Sequence, residues 1–156
     1  MIKKVISLIL HTKNTKLIQV VHPADIAKMY DIYKDCMYMP TVEKYNKKIV
    51  SKLDHLTVRM FACTYRKKIS GVVVISFFEQ NKIEILGIAV EKSVRRKGIG
   101  SHIIRSLIKC FNLNSVIAET DRDAVEFYRK NGFIITEFTE NYDGETVVRY
   151  KCELVK

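Results

Sequence analysis

Apolar and polar positions change period several times along this chain. "KLIQVV" (16–21) is a strand candidate closed by His22-Pro23, and from Ala24 the apolar residues Ile26, Met29, Tyr30, Tyr33 and Met37 recur at helical spacing. Pro40 ends that helix. A second helix runs from Val42 to Leu53, with Val42, Tyr45, Ile49, Val50 and Leu53 on one face. Three strands follow, Thr57 to Tyr65, Ile69 to Phe78 and Lys82 to Val90, joined by turns at Arg66–Lys68 and Gln80-Asn81. Connections that short make an antiparallel meander.

The period changes again after Val90. Ile99, Ile103, Ile104, Leu107, Ile108 and Phe111 line one face of a helix of about three turns. The strand "SVIAE" (115–119) comes next, and the helix between them predicts that it pairs parallel with Lys82–Val90. A further helix covers Asp121 to Lys130 and closes on Asn131-Gly132. Two last strands, "FIITEF" and "TVVRYKCELV", join through the hairpin signal Tyr142-Asp143-Gly144. The order β-α-α-β-β-β-α-β-α-β-β gives an α+β fold. It is a mixed, mostly antiparallel sheet with one parallel crossover and helices on both faces, in a single domain over residues 1–156.

Composition fits that architecture. The chain has 156 residues, 47% hydrophobic and 28% charged, enough to bury one sizeable core. Cys36, Cys63, Cys110 and Cys152 are scattered without a Cys-x-x-Cys pair, which argues against a zinc site and against a dense disulfide framework and suits reduced thiols in a cytoplasm, and no metal is expected. Each is expected to be a small buried apolar residue. The apolar run Val5 to Leu10 is shorter than the roughly 7–15 residues of a secretion signal and is read as a strand. No segment reaches the roughly 20 apolar residues of a membrane span, so no membrane partner is expected.

Charge narrows the ligand class. The net charge is +10, from 27 Lys and Arg against 17 Asp and Glu, and residues 91–110 carry six cations against Glu91. Arg95, Arg96 and Lys97 stand directly before Gly98-Ile99-Gly100 at a helix start. Adjacent like charges repel, and glycine weakens a helix by roughly 1 kcal/mol relative to alanine. A strand, basic loop, Gly-x-Gly and helix together make an anion site: first-turn amides lack partners, the dipole is positive there, and glycine lets a phosphate approach. Two familiar phosphate loops do not fit. Gly100 is followed by Ser101-His102 rather than Lys-Ser/Thr, and Ile103 stands where a dinucleotide fingerprint needs a third glycine or alanine.

The stretch "ILGIAVEKSVRRKGIGSHIIRSLI" resembles the acetyl-CoA-binding motif of the GNAT N-acetyltransferase superfamily, Arg/Gln-x-x-Gly-x-Gly/Ala opening a helix, with the pattern on Arg95, Gly98 and Gly100. "AVEFYRKNGF" (124–133) resembles that superfamily's Ala-x-x-Leu-Tyr-x-x-x-Gly-Phe signature, with Phe127 in the leucine place. The resemblance covers nearly the whole chain and is weakest over the first 55 residues. It implies a single GNAT-like domain with acetyl-CoA as co-substrate. In similar proteins the pyrophosphate rests on the loop that is here Arg95, Arg96, Lys97, Gly98, Ile99, Gly100 and Ser101. The pantetheine arm lies beside Ile88, Ala89 and Val90 like an added strand, where the two parallel strands part. Asp121 stands where the family often has a cofactor-contacting Asn. An ionised carboxylate donates no hydrogen bond, so Asp121 is expected to cap the following helix rather than to act in catalysis.

The resemblance further implies an acceptor amine attacking the thioester directly, through a tetrahedral intermediate. Tyr128 is the expected general acid, on the helix face shared with Ala124, Phe127 and Asn131 that turns to the sheet. Glu84, alternating with Ile83 and Ile85, is either an outward strand residue or a general base acting through water; Glu119 is a weaker candidate. Tyr30, Tyr33, Tyr38 and Tyr45 at helical spacing are core and rim, or the lining of an acceptor pocket. His11, His22, His55 and His102 lie far apart in sequence, so no covalent mechanism is suggested. His102 is expected on the exposed side of its helix, and Cys110 in helix packing. The primary-amine acceptor is not named by the sequence, although the positive charge disfavours polyamines. A homodimer stays open. A non-catalytic acyl-CoA sensor of the same fold is the alternative. A nucleic-acid partner is disfavoured, because no recognition helix or regular basic and aromatic face is seen.

Overall fold

Alternating apolar residues decide which face each strand presents, and here both faces are covered. The computed structural model describes residues 14–156. They form β1 (Thr15–Val20), α1 (Pro23–Lys28), α2 (Tyr30–Tyr33), α3 (Val42–Lys48), β2 (Val58–Tyr65), β3 (Lys68–Glu79), β4 (Lys82–Val90), α4 (Ile99–Cys110), β5 (Ser115–Thr120), α5 (Val125–Lys130), β6 (Ile134–Tyr142) and β7 (Glu145–Val155). One seven-stranded sheet results, in the order β1-β2-β3-β4-β5-β7-β6. Every pairing is antiparallel except β4 with β5, the crossover expected from the sequence. The apolar run Val5–Leu10 lies outside the described residues.

The alternation in β2 and β3 sorts the core into two clusters. Phe61, Cys63, Val73 and Ile75 point to one face, where Ile99, Ile103, Ile104 and Leu107 of α4 and Tyr128 of α5 complete the cluster. Met60, Ala62, Val72 and Val74 point to the other, beneath Ile26, Met29, Tyr33, Tyr45 and Ile49 of the α1–α3 region. The long helices expected in the first half are fragments. The segment 24–37 divides into α1, α2 and a 3-10 turn at Lys34–Cys36, and 42–53 into α3 and a 3-10 turn at Val50–Asp54. Helices this short are marginal alone and take their course from the sheet they pack on, and Ile49-Val50 is a β-branched pair that loses rotamer freedom in a helix.

Two further expectations change. His102 is buried, not exposed, and its Nε2 lies 3.2 Å from Ser106 Oγ one turn on. The buried arc of α4 is wider than its isoleucine and leucine stripe and takes in His102 and Ser106. Among the cysteines, Cys63 and Cys152 are buried as expected, Cys110 is half-buried, and Cys36 is an exposed residue. No helix of the described residues is long and apolar enough to cross a membrane.

Candidate active site

A glycine inside an apolar strand signals a bulge or a close approach of another group, and Gly87 marks both. Val74 pairs with Gly87 but Ile75 pairs with Ile85, so Leu86 is the extra residue of a β-bulge. The bulge resets the alternation: Ile83 and Ile85 face the α4 side before it, and Ile88 and Val90 face that side after it. Tyr33 of α2 fills the space left by the missing side chain. A Cβ on Gly87 would overlap the Tyr33 hydroxyl and stand 2.6 Å from the ring carbon bearing it.

Just past the bulge the sheet opens. Pairing of β4 with β5 ends at Ile85 with Ala118, while β4 runs on to Val90 and β5 to Thr120. The backbone of Leu86 to Val90 therefore has no strand partner on the β5 side. A V-shaped gap between parallel strands, with one side of β4 lacking a strand partner, accepts an extended chain as an added strand.

The loop beyond β4 carries the second feature. Lys92–Val94 makes a 3-10 turn, Arg96 is left-handed (φ 62°), and Gly98 caps α4 in the left-handed region (φ 78°, ψ 11°). Nothing lies within 4 Å of where a Gly98 Cβ would stand. Among the described residues no group accepts from the amides of residues 96 through 101, the first helix-capping bond being His102 N–H to Gly98 O at 2.9 Å. First-turn amides have no intrahelical partner, and here the row extends back through the loop, so it makes a nest for an anion. The two glycines have separate tasks. Gly98 supplies the turn, whereas Gly100 makes room for Phe127, whose ring carbon would stand 2.8 Å from a Cβ there.

The three loop cations also divide. Arg95 turns inward: its Nε donates to Val90 O at 2.9 Å and its terminal nitrogen pairs with Asp35 Oδ2 at 3.0 Å. That acid, in the turn after α2, relieves part of the expected repulsion. Arg96 and Lys97 are exposed and have no ion-pair partner among the described residues.

Tyr128 is buried, with its ring 5.2 Å edge-on from both Phe127 and Phe133. Its hydroxyl makes no hydrogen bond with a described residue. Burial raises its pKa above the ordinary phenol value, helped by Cys152, Cys36 and Asp121. Those neighbours come from β7, from the turn after α2 and from just past β5. Tyr33 is raised in the same way, by burial first and then by Cys36, Tyr45 and Tyr128. The Cys36 thiol donates to Tyr33 O at 3.1 Å and is pushed up to about 12, chiefly by burial of the sulfur although the residue as a whole is exposed; the Ile88 backbone acts on it in the opposite sense. Tyr33, Cys36, Tyr128 and the free edge of β4 therefore converge.

The remaining candidates fall as follows. Glu84 pairs with Ser76 on β3 and Ile117 on β5, half-buried on the face opposite Ile83 and Ile85, without an ion-pair partner among the described residues. Glu119 is exposed. Asp121 caps, as expected: its Oδ1 accepts from the amides of Asp123 and Ala124 at 3.0 and 3.1 Å. Tyr33 and Tyr45 are core residues and Tyr30 is half-buried against Tyr45. Tyr38 is 75% exposed and lies 6.2 Å from the Tyr142 ring at the tip of the β6–β7 hairpin, so it belongs to a rim. Sequence reasoning missed Gly87, Asp35 and Cys36. The strand glycine was a usable signal for the first; a pair sixty positions apart has no local signal.

The model of the Acetyltransferase (GNAT) family matches residues 26–133. No curated protein matches the chain by sequence. Solved structures match by shape. A GNAT family acetyltransferase from Elizabethkingia anophelis, with acetyl-CoA bound, superposes with a TM-score of 0.66 at 17% identity, over 93% of this chain and 100% of that one. A mutant spermidine N-acetyltransferase from Vibrio cholerae gives 0.70 at 15%, over 92% and 95%. A ribosomal L7/L12 alpha-N-protein acetyltransferase in complex with coenzyme A gives 0.70 at 14%, over 94% and 97%.

Proposed function

The chain belongs to the GNAT acetyltransferase family, and on that premise we propose that it moves an acetyl group from acetyl-CoA to a primary amine by direct attack. The observation that carries this reading is the row of free amides from Arg96 to Ser101 beside the gap between β4 and β5. The amides, with the unpaired Arg96 and Lys97, fit a pyrophosphate, and the open edge of Leu86 to Val90 fits the amide-bearing pantetheine arm. Acetyl-CoA supplies the activated thioester.

The chain's own groups do the rest. Backbone N–H groups near Ile88–Val90 polarise the carbonyl under attack. The buried Tyr128 phenol, protonated across the working pH range, donates to the departing thiolate. Glu84 takes the proton of the acceptor amine through water. Arg95 is a positioning residue: it fastens the donor loop to Val90 and to the turn after α2. Tyr38 and Tyr142 form one wall of the acceptor entrance. The reading extends to residues 1–156 as a single domain, and the four free thiols support a reducing compartment such as the cytoplasm.

The test is release of free thiol from acetyl-CoA across a panel of amines. The panel is headed by spermidine and peptide N-termini, the acceptor classes of two proteins of this fold. Thiol release accelerated by an amine supports the reading. Tight CoA binding with no acceleration by any amine would replace it with that of an acyl-CoA sensor.

A further inference from the structure

Resting on that donor reading, we infer that the β2–β3 turn and the loop after β4 together form a second anion site that takes the 3′-phosphate and adenine end of CoA. The turn is the first observation. Arg66 and Lys67 are its two central residues and both are left-handed, at φ 50° and 66°. A two-residue hairpin turn of this type favours Asn-Gly, since side chains other than glycine, asparagine and aspartate strain there. Among the described residues the positive-φ positions other than glycine are Asn81, Asn112, Asp143, Met39 and three cations, Arg66, Lys67 and Arg96. The asparagines and the aspartate are the tolerated choices. The three cations all sit in these two loops, so the strain is concentrated where positive charge is concentrated.

The second observation is the space between the loops. Arg66 and Lys68 from the turn and Lys97 from the loop line a pocket of about 540 Å³, with Tyr65, Ile69 and Val94 as its apolar wall. None of the three cations has an ion-pair partner among the described residues. Glu91 is the one acid in the lining, and its carboxylate is engaged by the Ser93 hydroxyl. The Arg66 guanidinium lies over the Tyr65 ring at 5.2 Å, which gives a flat cationic and aromatic surface of the kind that stacks on a base.

The third observation is continuity. Lys97 belongs both to this pocket and to the run of free amides. Two adjoining anion sites call for a ligand with two separate phosphate groups and an aromatic base, and the nucleotide end of CoA has that chemistry.

Calorimetry with CoA and 3′-dephospho-CoA tests this, on the wild type, on the double variant Arg66→Asn/Lys67→Gly and on Lys68→Gln. The wild type should bind CoA about ten- to a hundredfold tighter than dephospho-CoA, the range of a charge-assisted contact, with the gap narrowing as salt rises. The double variant installs the residues the turn prefers, so its melting temperature should hold or rise while the gap between the two ligands closes. Equal wild-type affinity for both ligands overturns this inference alone, as does a gap that survives in the double variant. Binding of neither ligand overturns the donor reading and this inference with it.

Discussion

Replacing Gly87 by alanine tests whether the bulge of β4 exists to seat Tyr33. Gly87 is not among the positive-φ glycines, so its backbone suits alanine. Without a steric problem, the loss of unfolded-state freedom would stabilise the protein by about 0.4–1 kcal/mol. The structure sets a larger cost against that gain. The new Cβ would overlap the Tyr33 hydroxyl and stand 2.6 and 2.9 Å from two ring carbons. Tyr33 has little room to retreat: it is 1% exposed and packs 5.8 Å from the Tyr45 ring, whose hydroxyl is itself fixed to Ile26 O at 2.6 Å. Overpacking a core costs about 1–3 kcal/mol. For a domain of this size that lowers the melting temperature by about 2–4 °C per kcal/mol, a fall of several degrees in a thermal or urea melt. The control is Tyr33→Leu, which costs stability itself but empties the space, so Gly87→Ala should be neutral or stabilising in that background. A melt of Gly87→Ala within a degree of wild type, or the same loss in both backgrounds, would refute the seat.

Tyr128→Phe keeps the ring and removes the proton, so turnover should fall by about 10²–10⁴-fold with acetyl-CoA affinity nearly unchanged; unchanged turnover with a competent acceptor removes Tyr128 from the mechanism. Glu84→Gln should lower turnover most at pH values below the acceptor amine's pKa, and a pH–rate profile identical to wild type returns Glu84 to an outward strand residue. Gly98→Asn keeps the left-handed turn but puts a side chain into the open space in front of the anion loop, so CoA affinity by calorimetry should drop while the melting temperature holds; equal affinity means the anion rests elsewhere. Burial raises Cys63 and Cys152 to about 11 from an ordinary 9, and Tyr45 to about 12 from 10. Groups raised in the folded state contribute stability that is complete below their unfolded pKa and is lost as pH rises through the folded one. Melting temperature should therefore decline between about pH 9 and pH 12; a flat profile across that window would contradict the burial.

Strand periodicity was legible because a period of two, bounded by turn residues, has few alternatives: β4 spans Lys82–Val90 as expected, and the Asp143-Gly144 hairpin forms with both residues left-handed. The first half was less legible. The apolar spacing of Ile26, Met29 and Tyr33 correctly gave the buried face, but a face does not say where a marginal helix breaks. At the site, the glycines at the start of α4 were visible as an anion loop, yet local pattern does not separate a glycine needed for φ, as at Gly98, from one needed for a neighbour, as at Gly100. His102 looked like a surface residue because its type is polar; only the packing of α4 shows it buried against Ser106. Asp35 and Arg95 meet only through the fold.

That last contact limits how this molecule can change. The segment from α2 to the turn at Asp35 lies within the residues that the family model matches, and its Tyr33 stands against Gly87 of β4. Arg95 anchors that segment to the donor loop through one carboxylate and one carbonyl. A lineage that rebuilds the segment inherits a fixed point at position 35: it keeps an acid there, or it leaves a cation beside the donor loop without its counter-charge. Changes elsewhere in the segment leave that ion pair in place, whereas a change at position 35 reaches the loop before α4 directly.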